Sequence, residues 1–237
     1  MFSFTFGDIG SGKSLFQAQI TLELLKQSIR IEKKYKLPKR EIWCNWHISN
    51  RLQKKYTGRW YYWQTPLEMI FSDYPKNTKV RVNFDCVWDE MAVELPSDKW
   101  TQTDLEIRRF FAQHRKRGIR IFGNSQDYMM VDINARRMAT DVFMCHKIVG
   151  NRDPSATLPP VKHIWGIVFA WQLDKQAIRS DDMDRKHINL FPHFVFITRK
   201  LIEAYDTTED IYRQLNLLYV HQIKKCATCG LEKVIHT

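Results

Sequence analysis

The chain has 237 residues, with 37 Lys and Arg against 26 Asp and Glu, a formal net charge of +11. Hydrophobic residues make up 44% and charged residues 27%, which excludes wholesale disorder and allows a sizeable core without disulfides or metal. The positive excess points to an anionic partner (nucleic acid, a membrane surface or nucleotide phosphates) without choosing among them. The five cysteines, Cys44, Cys86, Cys145, Cys226 and Cys229, are odd in number and lack framework spacing, which indicates a reducing compartment. The opening run Met1 to Phe6 has no basic n-region or cleavage site, and the longest apolar stretch, Ile164 to Trp171, is too short to span a bilayer. A soluble, intracellular protein without a transmembrane segment of its own is expected.

Phe2 to Phe6 alternates and is predicted as a strand, followed by a Gly-rich turn from Gly7 to Gly12. A helix starts near Lys13, carries Leu15, Ala18, Leu22, Leu25 and Ile29 on one face, and stops before Pro38. Ile42 to Trp46 reads as a short strand, and residues 49–78 as irregular, basic and aromatic. Lys79 to Trp88 reads as a buried strand. Thr103-Asp104-Leu105-Glu106 matches a capping box that opens a helix ending at Gly118. Ile119 to Phe122 is a third strand, Asp132 to Thr140 a helix, and Val142 to Val149 a fourth strand. Residues 150–160 and the segment around Ser180 to Lys186 read as loops. Ile164 to Leu173 and Phe194 to Thr198 read as two more strands, with antiparallel pairing left open. Strand and helix alternating over residues 1–150 imply an α/β domain with a largely parallel sheet. The expected division is one main domain over residues 1–210 and a tail over 211–237.

Gly7-Asp8-Ile9-Gly10-Ser11-Gly12-Lys13-Ser14 fits G-x-x-x-x-G-K-[ST], between a strand and a helix as that motif requires. Glycines let successive N–H groups point inward at a phosphate, and the helix start adds partial positive charge. Lys13 is then placed for the β- and γ-phosphates of ATP, and the Ser14 hydroxyl for Mg²⁺. Asp89 and Glu90 follow Val87-Trp88 at a strand end, where an open parallel sheet binds its ligands. In that context Asp89 is the second Mg²⁺ residue and Glu90 the base for an attacking water. Taken without the loop, the two acids are equally a surface pair. After Ile121-Phe122 comes Gly123-Asn124-Ser125-Gln126-Asp127, from which Gln126 or Asn124 can sense the γ-phosphate; ordinary turn chemistry is the alternative.

An arginine finger supplied to a neighbouring subunit has Arg137 as first candidate and Arg115 as second, although helix-end cations are favourable by macrodipole alone. Residues 51–63 interleave cations with rings, as a nucleic-acid surface does; the alternative is a solvated loop with its rings turned inward. At the end of the chain, His221, Cys226, Cys229 and His236 supply four ligand types suited to Zn²⁺, at unusual spacing. Free thiols, or ligands shared with a partner, are the competing accounts.

The phosphate loop at the start, the strand ending in Trp88-Asp89-Glu90, and His114 to Gly118 running into a strand and then Ser125-Gln126-Asp127 together resemble the zonular occludens toxin family. That family includes the assembly ATPases of filamentous phages. Ile202-Glu203-Ala204-Tyr205-Asp206 resembles the short Tyr-Asp segment that closes its ATPase domain. The wider group is the FtsK/HerA-like additional-strand P-loop ATPases, which includes viral genome-packaging motors. The resemblance implies a RecA-like core, ATP with Mg²⁺, and a homo-oligomeric ring that moves DNA or extrudes phage. It supports Lys13 and Ser14 for phosphate and metal, Asp89 and Glu90 as the acidic motif, and Gln126 as sensor. Filamentous-phage assembly proteins generally carry a membrane-spanning segment after the ATPase domain, and this sequence shows none. The expectation is therefore a motor in the host cytoplasm, peripheral to a membrane or associated with the virion, with a capsid or membrane-protein partner. The rival functions are an assembly ATPase that does not grip DNA and a nucleotide-gated interaction module.

Overall fold

The computed structural model describes residues 1–76, 78–149, 166–173, 193–198, 201 and 204. The chain divides into two compact units, Met1–Tyr205 and Asp206–Thr237. The second unit lies outside the described residues, as do His221, Cys226, Cys229, His236 and the loops read at 150–160 and 180–186.

Eight strands form one sheet: β1 (Phe2–Phe6), β2 (Glu41–Cys44), β3 (Trp60–Tyr62), β4 (Phe84–Trp88), β5 (Arg120–Ser125), β6 (Asp141–Val149), β7 (Gly166–Gln172) and β8 (His193–Ile197). Their spatial order is β3-β2-β4-β5-β1-β6-β7-β8. The first six run parallel. β7 and β8 add an antiparallel flap, which settles the open pairing. This is the expected mixed α/β architecture. β5 stands between β1 and β4, the additional-strand arrangement that the family resemblance implies.

The sheet separates two cores. β1 shows why: Phe2 and Phe4 point to one face, and the small residues Ser3 and Thr5 alternate to the other. On the Phe side lie α3 (Pro66–Ile70), α5 (Leu105–Gln113) and α6 (Ile133–Met138), closing over Trp63, Trp88, Phe110, Phe111 and Tyr128. Rings of this size contribute about 1.5–3 kcal/mol each when fully buried, so this face anchors the sheet. On the other face α1 (Lys13–Tyr35) packs Ala18, Leu22 and Leu25 against Ile42, Val87 and Phe122. Leu15 and Ile29, expected on that buried face, are half-buried at its margins. Burial raises the thiols of Cys44 and Cys86 far above the ordinary value and that of Cys145 to about 12, so these free cysteines are inert core residues.

Several boundaries differ from expectation. Residues 49–78 are not irregular. They hold α2 (Asn50–Lys55), β3 and α3, the last opened by a capping box of Thr65 and Glu68 with Pro66 in its first turn. The strand expected from Lys79 starts only at Phe84, because Asn83 adopts φ +56 and breaks the extended run. α5 begins at Leu105 with Asp104 as its cap, the Asp104 carboxylate accepting from the Glu106 amide, and it ends at Gln113 rather than at Gly118. β5 continues through Gly123, Asn124 and Ser125, which composition marked as turn. Their backbones pair with Phe4, Thr5 and Phe6 of β1, and that ladder outweighs turn propensity.

Candidate nucleotide site

The site grows from three strand ends on one rim. Parallel strands β1, β4 and β5 close there at Phe6, Trp88 and Ser125, and an open parallel sheet offers its ligand crevice on this side. From β1 the chain turns through Gly7 to Gly12. Gly12 caps α1 at φ +90, and a Cβ there would sit 2.4 Å from Val168 Cγ2, so only glycine fits. A Cβ on Gly7 would sit 2.5 Å from the Cys145 carbonyl oxygen. No side chain caps α1, and Phe16 N–H donates a hydrogen bond to the Gly12 carbonyl at 2.9 Å. The amides of residues 13–15 therefore open towards the loop, as a phosphate cradle needs. Ser11 is buried and its hydroxyl has no hydrogen-bond partner among the described residues. Asp8, Ile9 and Gly10 lie on the outside of the turn.

Lys13 reaches inward. Its side chain is 7% exposed, and its ammonium lies 3.9 Å from Glu90 Oε1, beyond hydrogen-bond reach. A buried cation with so loose a counter-charge is under-compensated, and a polyphosphate is the ligand that would complete it. Ser14 Oγ donates to Asp89 Oδ1 at 3.5 Å. The structure thus brings Lys13, Ser14, Asp89 and Glu90 together. Among the described residues no group of three or more His, Cys, Asp or Glu could hold a metal ion. A pair of oxygen ligands suits Mg²⁺, which keeps several waters and takes further oxygens from phosphates.

Glu90 stands in the left-handed region at φ +49, ψ +56, a conformation that strains a side-chain-bearing residue. The strained turn aims its carboxylate at Lys13, and α4 (Met91–Glu94) starts directly after it. Burial, and then the neighbouring Asp89 charge, raise the Glu90 pKa; Lys13 and the Gln126 amide work against them without cancelling the rise. Gln126 contributes through its backbone: its amide is one of the influences holding the Glu90 pKa down, and its carbonyl accepts from Gly7 N–H at 3.2 Å.

Asn124 occupies the centre. Fully buried in β5, it donates from Nδ2 to Gln17 Oε1 at 2.6 Å and to Asp89 Oδ1, and its Oδ1 accepts from Glu90 N–H at 2.8 Å. Gln17, one turn into α1, donates to the carbonyls of Trp88 at 3.0 Å and Phe122 at 2.8 Å. Asn45, just beyond β2, accepts from Asp89 N–H at 2.7 Å and donates to the Asp89 carbonyl at 2.8 Å. Sequence reading missed Gln17 and Asn45. Their one signal is an amide in an otherwise apolar setting: Gln17 on the buried side of α1, and Asn45 between Cys44 and Trp46. We expect Asn124→Ala to lower unfolding free energy by about 2 kcal/mol, since it orphans the Glu90 amide and the Gln17 side chain at once. Denaturant melts of the purified variant check this; a loss within error of zero is the contrary outcome.

The arginine candidates are not brought to this site. Arg137 is exposed near the end of α6, three residues before Thr140, which bonds Phe2 at the opposite rim. Arg115 is exposed and also lies on that rim, lining a cavity with Met1 and Arg120. Arg136 is buried, donating to the Val131 carbonyl at 2.8 Å and lying over the Tyr128 ring, which makes it structural. Within residues 51–63 the rings turn inward: Tyr56 and Trp63 belong to the two cores, and Trp60, Tyr61 and Tyr62 are half-buried in edge strand β3. Arg59 pairs with Glu32, while Arg51, Lys54 and Lys55 are exposed. Of the two accounts of this stretch, the burial of the rings favours the one in which they turn inward.

No family model matches the sequence, and no curated protein matches it. Solved structures do. The N-terminal domain of zonular occludens toxin from Neisseria meningitidis superposes with a TM-score of 0.49 at 15% identity, over 86% of this chain and 98% of that one. The genome packaging NTPase B204 from Sulfolobus turreted icosahedral virus 2, in complex with AMP, superposes with a TM-score of 0.43 at 13% identity, over 74% and 93%. B204, the DNA-packaging ATPase from Sulfolobus turreted icosahedral virus, gives 0.42 at 12% identity, over 71% and 90%.

Proposed function

We propose that this chain is an ATP-hydrolysing motor of a virus or mobile element that translocates or packages DNA. The observation that carries the catalytic part is the convergence on one sheet rim of a buried Lys13 ammonium, the Ser14–Asp89 oxygen pair and the Glu90 carboxylate. In this reading the 7–14 loop and Lys13 hold the β- and γ-phosphates of ATP. Ser14 and Asp89 hold Mg²⁺, which neutralises developing charge on the phosphates. Glu90 orients a water for in-line attack and takes its proton, and its raised pKa makes it a better base than an ordinary glutamate. Asn124 fixes both acids, and the Gln126 amide helps hold the Glu90 pKa down. In this reading the finger comes from a neighbour in a ring, with exposed Arg137 ahead of Arg115.

DNA as cargo rests on the charge of +11. The inward rings of residues 51–63 favour one rival, an assembly or extrusion ATPase that does not grip DNA. ATPase rate against duplex DNA concentration at two salt levels decides. Stimulation that falls steeply with salt supports translocation, because phosphate contacts release counterions. Turnover indifferent to DNA supports assembly, and binding without turnover leaves a nucleotide-gated module. The Zn²⁺ set of His221, Cys226, Cys229 and His236 remains a proposal that metal analysis of the purified chain tests.

A further inference from the structure

The sheet rim opposite the phosphate loop carries a different chemistry. There the end of α1 runs into β2 as Lys33-Lys34-Tyr35-Lys36-Leu37-Pro38-Lys39-Arg40, and the turn after α5 brings Arg115 and Lys116 beside it. All four lysines of this run, Arg115 and Lys116 are exposed. The acids nearby are already engaged. Glu32 pairs with Arg59, and fully buried Asp85 lies between Arg40 Nε at 2.7 Å and Arg120 NH2 at 2.6 Å. A cavity of about 360 Å³ opens among Ile31, Arg40, Arg115, Gly118 and Arg120.

Two large apolar side chains stand out of this cationic field, Tyr35 at 57% and Leu37 at 53% exposure. Tyr35 follows Ile31 by one helical turn and so shares its face of α1. The helix macrodipole accounts for Lys33 and Lys34 in the last turn of α1. It does not account for an exposed tyrosine and leucine among lysines. The charged phosphates of a nucleic-acid backbone give Leu37 little apolar surface to bury against. An anionic bilayer accommodates both features: lysines near lipid phosphates, and apolar side chains at headgroup depth.

We propose that this rim docks on an anionic phospholipid bilayer, with Tyr35 and Leu37 entering the headgroup region and Lys33, Lys34, Lys36 and Lys39 pairing with lipid phosphates. Arg115, at the mouth of the cavity, takes a headgroup phosphate there. Docking by this rim leaves the nucleotide site, on the other rim, open to solvent. The inference does not rest on the ATPase reading, because Tyr35, Leu37 and the four lysines, which carry it, have no part in that site.

The test is co-sedimentation of the full chain with phosphatidylcholine vesicles with and without phosphatidylglycerol, alongside retention on duplex DNA. Binding is expected only with phosphatidylglycerol. Tyr35→Ser with Leu37→Ser should weaken vesicle binding about tenfold and leave DNA retention unchanged. Replacing the four lysines by Gln should weaken it roughly a hundredfold or more. A polarity-sensitive dye on Leu37→Cys, in a chain with Cys226→Ser and Cys229→Ser, should shift to the blue on phosphatidylglycerol vesicles and not on DNA. Absence of vesicle binding, binding indifferent to Tyr35 and Leu37, or lysine-dependent retention on DNA alone overturns the proposal.

Discussion

Lys13→Ala is expected to weaken nucleotide binding about a hundredfold, because truncating one partner of a buried charged contact costs about 2–5 kcal/mol. Lys13 is the cation that α1 presents to the loop, and its long contact with Glu90 leaves it available to a polyphosphate. The substitution acts a second time through Glu90. Lys13 is the first of the influences holding the Glu90 pKa down, so its loss should let that pKa rise further. Titration calorimetry with a non-hydrolysable ATP analogue reads the first effect, and the acidic limb of residual turnover reads the second. Wild-type affinity in Lys13→Ala, with fold retained by circular dichroism, would remove the loop from the site.

The fold was legible where residue types allow few alternatives. The 7–14 loop needs glycine at Gly7 and Gly12 for reasons the structure makes steric, and the apolar face of α1 follows from its period. β1 follows from its alternation and β6 from an apolar run, and both lie where expected, whereas β4 keeps only the second half of its expected run. Failures came where two local rules compete. Gly123-Asn124-Ser125 has turn composition, yet β1 pairs with it across the whole ladder and it stays strand. Trp60-Tyr61-Tyr62 has strand composition inside a basic stretch, and charge concealed a three-residue edge strand.

The site was legible to the extent that its residues sit beside recognisable motifs. Lys13, Ser14, Asp89 and Glu90 come from two short segments with their own signatures. Gln17 and Asn45 hold the assembly from positions without a signature, because an amide becomes a tether only when two strand ends and a helix meet around it. Asn124 and Gln126 were both open as the sensor. The structure gives Asn124 the side-chain contacts with Asp89 and the Glu90 amide, and Gln126 a backbone contact. The arginine in trans is a property of an assembly, and one chain shows only which candidates are exposed.

Glu90→Gln is expected to bind ATP with near-native affinity and to lose about 10²–10⁴-fold in turnover, the contribution a positioned general base makes. The variant keeps the size and shape of the side chain; it loses the charge and the basicity. Native glutamate should also leave a mark on the pH profile. Its pKa is raised by burial and by Asp89, and the base works only when deprotonated. Turnover should therefore fall on acidification at a pH above the ordinary glutamate range, and the limb should move higher still in Lys13→Ala. Single-turnover assays separate chemistry from release: Glu90→Gln should hold uncleaved ATP, while Asp89→Asn should recover partly with added Mg²⁺ if Asp89 is a metal ligand. Normal turnover by Glu90→Gln would assign the attacking water to another group, and the strained backbone at residue 90 would then need a different explanation.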